Sequence, residues 1–150
     1  GIHMLLEWFS QADFLNNKGE TPLHYAAHTG HLAVTLALIT DRGKGPPCNA
    51  AAIDSAGWTV LMHACVSGHL DLVSLLLQNR DGGHRELALP VLDVNHLDAQ
   101  GVAALSIAAR EGHWHLLPSL VLAGANCAAK DKDGFTALHW AVMEDEALAT

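Results

Sequence analysis

The sequence predicts an all-α solenoid built from stacked helix-turn-helix units. Four stretches align: "KGETPLHYAAHTGH", "AGWTVLMHACVSGH", "QGVAALSIAAREGH" and "DGFTALHWAVMEDE". Their leading glycines are separated by 38, 44 and 33 residues. Apolar runs at helical spacing, "LAVTLALI", "LDLVSLLL" and "HLLPSLVL", follow the first three stretches. Because neither helix of such a unit can bury its apolar face alone, neighbouring units must stack in a row.

Each unit carries the start and stop signals of two short helices. Thr21, Thr59 and Thr136 can each cap a first helix by accepting a hydrogen bond from an orphan N–H. Pro22 suits the first helical position, where its missing N–H costs nothing. A glycine then forms the link to the second helix, because glycine tolerates positive φ. These link glycines are Gly30, Gly68 and Gly112.

The repeated core resembles the ankyrin-repeat family. That family's unit is a β-turn plus two helices, about 33 residues long, with a T-P-L-H-x-A core. The segments "ETPLHYAA" and "FTALHWA" carry the core, and "LDVNHLDAQG" is similar to the family's junction between units. The resemblance covers Asn16 to the C-terminus. It implies an all-α ankyrin-repeat solenoid with short β-hairpin fingers on one side.

The spacing divides the chain into repeats and two insertions. We expect a cloning remnant at 1–4 and the end of a preceding partial repeat at 5–15. Three repeats would follow at 16–48, 50–91 and 92–130, and a truncated fourth repeat at 131–150. The first repeat would contain an insertion at 41–49 and the second an insertion at 79–91. Either insertion is tolerated slack in a surface loop, or it is a loop that contacts a partner.

Composition excludes several classes of function. Sixteen acidic residues against eight basic ones give a formal charge of −8, which disfavours binding to nucleic acid. Three scattered cysteines do not form a disulfide framework, and this favours an intracellular location, cytoplasmic or nuclear. No apolar run is long enough to insert into a membrane. We expect a monomer that binds a protein partner and needs no cofactor.

The histidines are interpreted as scaffold residues. The resemblance implies that His24 and His139 bond to the capping threonine and to adjacent turns, and that His31, His69 and His113 bridge between repeats. A metal site at His24, His28 and His31 is the alternative, but no H-E-x-x-H or finger-type spacing supports it, so we predict no metal ligands. No nucleophile elbow or phosphate loop occurs either, so we predict no catalytic residue and no enzyme activity.

The resemblance places the partner-binding surface at the finger tips and late in each first helix. The candidate residues are Asn17, Lys18, Glu20, His28, Thr29, Ser55, Trp58, Val66, Gln100, Val102, Arg110, Glu111, Lys132, Phe135 and Met143. Among them Trp58, Val102 and Phe135 occupy one position in successive units. These three form an apolar row that either anchors a partner or packs between fingers.

Two further expectations concern the third unit and the role of the whole chain. Ala103 replaces the capping threonine, so the third unit should lack a cap and be a candidate for local opening. Pro118 lies in its second helix and should kink that helix or delay its start. The leading function is a non-catalytic adaptor or scaffold that binds another protein. The alternative is a regulatory or targeting domain packed on another domain of a larger protein.

Overall fold

The computed structural model describes residues 15–39, 51–77 and 92–149. The predicted remnant at 1–4, nearly all of the segment 5–15 and the insertions at 41–49 and 79–91 lie outside these residues. The helices of the described part are, in chain order, α1 (Pro22–Thr29), α2 (Leu32–Ile39), α3 (Val60–Val66), α4 (Leu70–Leu77), α5 (Ala104–Arg110), α6 (Leu117–Leu122) and α7 (Ala137–Ala149).

The helices stack as the repeat predicts, and the all-α solenoid is confirmed. The first helices of the units, α1, α3, α5 and α7, contact one another in series. The second helices, α2, α4 and α6, form a parallel series behind them, and each contacts the first helix of its own unit. A single core runs through the stack, filled by leucines such as Leu23, Leu61 and Leu105 and by small residues such as Ala27 and Ala109.

Threonine caps start the first helices of the first two units. The hydroxyl of Thr21 accepts from the backbone N–H of His24, and that of Thr59 accepts from the N–H of Met62. Ala103 occupies the same extended backbone conformation before α5 and provides no side-chain cap, as predicted. All six residues from Ala104 to Ala109 are nevertheless buried, so α5 is held in place by packing on both sides.

The second helix of the third unit starts late. A short 3-10 turn spans Trp114–Leu116, and α6 begins only at Leu117, with Pro118 in its first turn. Proline tolerates this position because the first N–H groups of a helix have no intrahelical partner. The delayed start expected from Pro118 is therefore what the structure shows.

The fingers are tight turns in the described part of the chain, where no regular strand forms. One isolated antiparallel bridge joins Leu97 and Ala103 at the base of the third finger. Each tip holds a glycine in the left-handed region, with φ of 71° at Gly19, 77° at Gly57, 74° at Gly101 and 81° at Gly134. The fingers thus keep the hairpin shape without an extended ladder.

Candidate partner-binding surface

One acidic or amide side chain braces every finger. In the second finger, Asp54 Oδ1 accepts from the backbone N–H groups of Ala56 and Trp58, both at 2.9 Å. The same pair of bonds recurs at the corresponding positions of the other fingers, which are Asn16, Asp98 and Asp131. These residues were not predicted from the sequence, although an Asn or Asp three residues before each finger glycine was the signal.

Neighbouring fingers are joined through their backbones. The N–H of Ser55 donates to the carbonyl of Lys18 at 3.0 Å, and the N–H of Ala99 donates to the carbonyl of Ala56 at 3.0 Å. Between the third and fourth fingers the contact is made by side chains, with Lys132 Nζ donating to Gln100 Oε1 at 3.2 Å. The spacing of the first three finger tips is therefore set by main-chain hydrogen bonds, while their side chains remain available to solvent.

The second oxygen of each brace aspartate accepts from a ring. His63 Nε2 contacts Asp54 Oδ2 at 2.9 Å, and Trp140 Nε1 donates to Asp131 Oδ2 at 3.0 Å. These rings share one position in their first helices, but the third unit has Ile107 there. Its Asp98 Oδ2 accepts instead from Trp58 Nε1 of the preceding unit, at 2.9 Å.

The pKa values of two brace carboxyls follow from these bonds. Burial by itself raises the pKa of Asp54, but the N–H of Trp58 and the His63 ring stabilise the carboxylate and hold the pKa below its usual value. At Asp131 slight desolvation is likewise outweighed by the backbone N–H of Phe135 and by the Trp140 indole, so its pKa is also lowered. Both carboxylates are ionised at neutral pH and can accept from every donor around them.

The predicted partner residues divide into an exposed set and a packed set. The structure leaves nine of them exposed, on the finger tips and at the ends of the first helices: Asn17, Lys18, His28, Thr29, Ser55, Gln100, Glu111, Lys132 and Met143. Half-buried positions are taken by Glu20, Trp58, Val66, Arg110 and Phe135. We call these nine exposed side chains the finger face.

Val102 does not belong to an exposed row. Its side chain is 7 % exposed and lies in the core cluster, so at the centre of the row through Trp58, Val102 and Phe135 the structure agrees with the packing alternative and not with an exposed anchor. Phe135 packs against the rings of His139 and Trp140, at centroid distances of 5.8 and 5.4 Å. Trp58 packs partly on the core and bonds to Asp98. Packing between neighbours therefore accounts for most of this row.

Tyr25 and Trp140 share one position in their first helices but differ in burial. The structure leaves Tyr25 59 % exposed, while Trp140 is half-buried. Cys65, by contrast, is a fully buried small residue, and burial raises the pKa of its thiol to about 12. A thiol with this pKa is a poor nucleophile, because the thiolate is the reactive form.

Several histidines make the scaffold contacts that the resemblance implies. The Nδ1 atom of His24 accepts from the backbone N–H of Thr21 at 3.1 Å, and its Nε2 reaches the carbonyl of Trp58 in the next unit at 3.1 Å. His139 repeats the contact with Thr136. Bridges back to the preceding unit come from His113, to the carbonyl of Val66, and from His115, to the carbonyl of Gly68.

The predicted bridges at His69 and His31 differ from the hydrogen bond that His113 makes to the preceding unit. The ring of His69 lies against Gly30, where a Cβ atom would come within 2.4 Å of it. His31 instead bonds to the hydroxyl of Thr29 in its own unit, at 2.6 Å. His24, His28 and His31 do not converge on a common point: in the described residues, the one group with metal-ligand geometry is Glu20, Asp54 and His63.

Comparison with known proteins agrees with this geometry. A family model described as ankyrin repeats (3 copies) matches residues 2–86, which is more than half of the chain. The chain belongs to the ankyrin-repeat family. Ankyrin repeats are generally protein-interaction modules.

Several longer proteins are similar to this chain over part of their length. Palmitoyltransferase AKR1 of Lachancea kluyveri is 30 % identical over 127 residues, covering 85 % of this chain and 16 % of the relative. Ankyrin repeat domain-containing protein SAT10 of Stachybotrys chartarum is 30 % identical over 159 residues, covering 93 % of this chain and 8 % of the relative. The 26S proteasome non-ATPase regulatory subunit 10 of Dictyostelium discoideum is 37 % identical over 68 residues, covering 45 % of this chain and 28 % of the relative. The ankyrin chain thus spans less than a third of each of these relatives.

Among the described residues, no helix of the ankyrin stack combines the length and the apolar character that crossing a bilayer requires.

Proposed function

We propose that this ankyrin chain is a non-catalytic adaptor that binds a protein partner through the finger face. The observation that carries the proposal is the bonding between fingers. Main-chain hydrogen bonds from Ser55 to Lys18 and from Ala99 to Ala56 fix the spacing of three tips. Exposed side chains on these tips and on the adjacent helix ends are then presented without further ordering of the backbone. Preorganisation of this kind lowers the entropic cost of association.

The finger face has mixed charge, which suits a protein partner better than a nucleic acid. Lys18 and Lys132 lie on the first and fourth fingers, Glu111 lies just after α5, and the exposed Asp133 is next to Lys132. Since affinity for nucleic acid comes mainly from clustered lysine and arginine, this mixture and the charge of −8 disfavour that partner class. A partner with polar and charged groups arranged in a complementary pattern fits the surface.

A pair of matched charge changes tests the proposal. Glu111→Lys alters the finger face at the end of α5, whereas Asp71→Lys makes the same chemical change on α4, in the second row of helices. Both residues are exposed, so both variants should fold. In quantitative affinity purification, a partner of the finger face should be lost with Glu111→Lys and retained with Asp71→Lys. Equal capture by all forms, or loss only with Asp71→Lys, would contradict the proposal.

A second candidate, packing on another domain of a larger protein, is favoured by the outer face of α7. Leu138 is 71 % exposed, whereas the leucines at the same position of the other units, Leu23, Leu61 and Leu105, are buried. Val142 is also exposed, although its counterparts Ala27, Cys65 and Ala109 are fully buried. In a longer protein that contains this segment, backbone amides of α7 should exchange hydrogen more slowly than in the isolated chain. Equal exchange would exclude this candidate.

A further inference from the structure

A group of metal-ligating side chains lies where the first and second repeats meet. Glu20 comes from the first finger, Asp54 from the second finger, and His63 from α3. His63 Nε2 lies 2.9 Å from Asp54 Oδ2 and 3.9 Å from Glu20 Oε1. One ligand atom from each residue lies within 4.8 Å of the other two.

Each of the three side chains is held by a second contact that leaves its ligand atom free to turn inward. Asp54 Oδ1 is fixed by two backbone N–H groups, so Oδ2 has a defined direction. Asn16 Nδ2 donates to Glu20 Oε2 at 2.7 Å, and this leaves Oε1 facing His63. The His63 side chain is 5 % exposed and is surrounded by the rings of His24, His28 and Trp58. Outer contacts that orient the ligands are a general feature of metal sites.

The His63 ring differs from the neighbouring His24 ring in a way that favours a ligand role. Both nitrogens of His24 are engaged, by Thr21 and by Trp58, so neither can be released without losing a scaffold contact. At His63 only Nε2 is paired, while Nδ1 is buried without a hydrogen-bond partner. A proton can therefore leave Nε2 and be carried on Nδ1 without breaking a bond there, and the ring remains neutral with its Nε2 lone pair directed at the two carboxylates.

We propose that Glu20, Asp54 and His63 bind a zinc ion between the first two ankyrin repeats. One imidazole nitrogen and two carboxylate oxygens are ligands that zinc accepts, and the two carboxylates balance its charge. Tetrahedral bonds of about 2.0–2.2 Å would separate neighbouring ligand atoms by roughly 3.3–3.6 Å. The distances from His63 Nε2 to Asp54 Oδ2, 2.9 Å, and to Glu20 Oε1, 3.9 Å, lie on either side of this range. Small side-chain rotations would therefore complete the site. The exposed His28, whose ring centroid lies 5.6 Å from that of His63, borders the fourth position.

Such an ion would do two things for the ankyrin stack. It would join the first finger to the second unit more strongly than the present contact of 3.9 Å between Glu20 and His63. It would also place a zinc ion with an open coordination position beside the finger face, where a carboxylate or imidazole of a partner could complete its coordination.

Titration of the purified chain with zinc chloride tests the proposal, with two matched pairs of variants. Glu20→Gln and His63→Gln remove ligands, whereas Glu111→Gln and His31→Gln remove an exposed carboxylate and an exposed imidazole elsewhere. Calorimetry should show one saturable equivalent that weakens at least about 10-fold in the first pair and is unchanged in the second. Circular dichroism tests whether each variant is folded. If His63→Gln does not fold, the comparison of Glu20→Gln with Glu111→Gln decides the result.

Nitrogen chemical shifts of the histidine rings identify the ligand atom. On addition of zinc, the Nε2 signal of His63 should move to the range of a metal-bound nitrogen, while both signals of His24 stay in place. No saturable equivalent, or one that Glu20→Gln leaves unchanged, would overturn the proposal. These results do not depend on a partner protein, so the zinc site and the adaptor function can fail separately.

Discussion

Trp58 Nε1 donates a hydrogen bond of 2.9 Å to Asp98 Oδ2, and this bond ties the start of the second unit to the finger of the third. The corresponding carboxylates in the second and fourth units accept from rings of their own units, those of His63 and Trp140. The third unit has Ile107 at that position, and an aliphatic side chain cannot donate. The bond between units therefore forms because the third unit leaves its aspartate oxygen unpaired.

We predict that the bond between Trp58 and Asp98 contributes about 1 kcal/mol to stability, because its acceptor is charged but only half-buried. Trp58→Phe removes the donor and keeps most of the ring. Asp98→Asn removes the charged acceptor but preserves the finger, since Asn16 braces the first finger with the same pair of backbone bonds. Urea denaturation of the single and double variants gives the coupling energy of the pair. A coupling energy near zero would show that the bond adds nothing.

Trp58→Ala should be more costly than Trp58→Phe, by about 2 kcal/mol or more, because it also removes ring contacts with the core and with His63. The sequence alone left open whether Trp58 anchors a partner or packs between fingers. The structure makes Trp58→Ala a stability variant, and a loss of binding in this variant could reflect unfolding. Thermal denaturation measured beside each binding assay separates the two effects, and a melting temperature equal to that of the wild type would restore the binding interpretation.

The third unit should be stabilised by the cap that it lacks. Ala103 has φ −91° and ψ 164°, close to the φ −84° and ψ 168° of Thr59, so Ala103→Thr places a hydroxyl where the other caps have theirs. We expect a gain of about 1 kcal/mol in the free energy of unfolding. Ala103→Val is the matched control, because it adds the same branched shape without an acceptor. If both variants change stability equally, the effect is one of packing and not of capping.

The sequence was sufficient for the repeats, the helix pairs and the caps, because each depends on residues close together in the chain. Thr21 with His24, Gly30 after α1 and Pro118 in the first turn of α6 are local patterns. It was not sufficient for Val102, which is buried in the core although Trp58 and Phe135, at the same position after their finger glycines, are half-buried. Nor did it find the group at Glu20, Asp54 and His63, which belong to two units and meet only once these stack.

The link glycine between the first two helices should be far less tolerant than a finger glycine. At Gly30 a Cβ atom would lie 2.4 Å from the His69 ring, whereas at Gly134 nothing lies within 4 Å, and both residues have φ of 81°. Gly134→Ala should therefore cost only the strain of the left-handed backbone, about 1–2 kcal/mol. Gly30→Ala adds displacement of a packed ring and should cost clearly more. Urea midpoints of the two variants measure the difference, and equal midpoints would mean that His69 moves aside freely.

Mild acid should destabilise the stack through His24. Its Nδ1 accepts from the N–H of Thr21, so only the neutral ring fits. Burial, followed by the nearby His63, holds the pKa of His24 below its ordinary value of 6.5. The unfolded chain therefore binds a proton more readily than the folded one, and stability falls as the pH drops through about 6.5 toward the lowered value. Asp54, whose pKa is also lowered, reduces stability only at lower pH, nearer its ordinary pKa of 3.8.

The urea midpoint should decrease between about pH 7.5 and about pH 5. His24→Met, which copies the buried Met62 at the same position of the second unit, should flatten this dependence. An unchanged slope would assign the acid sensitivity to another group.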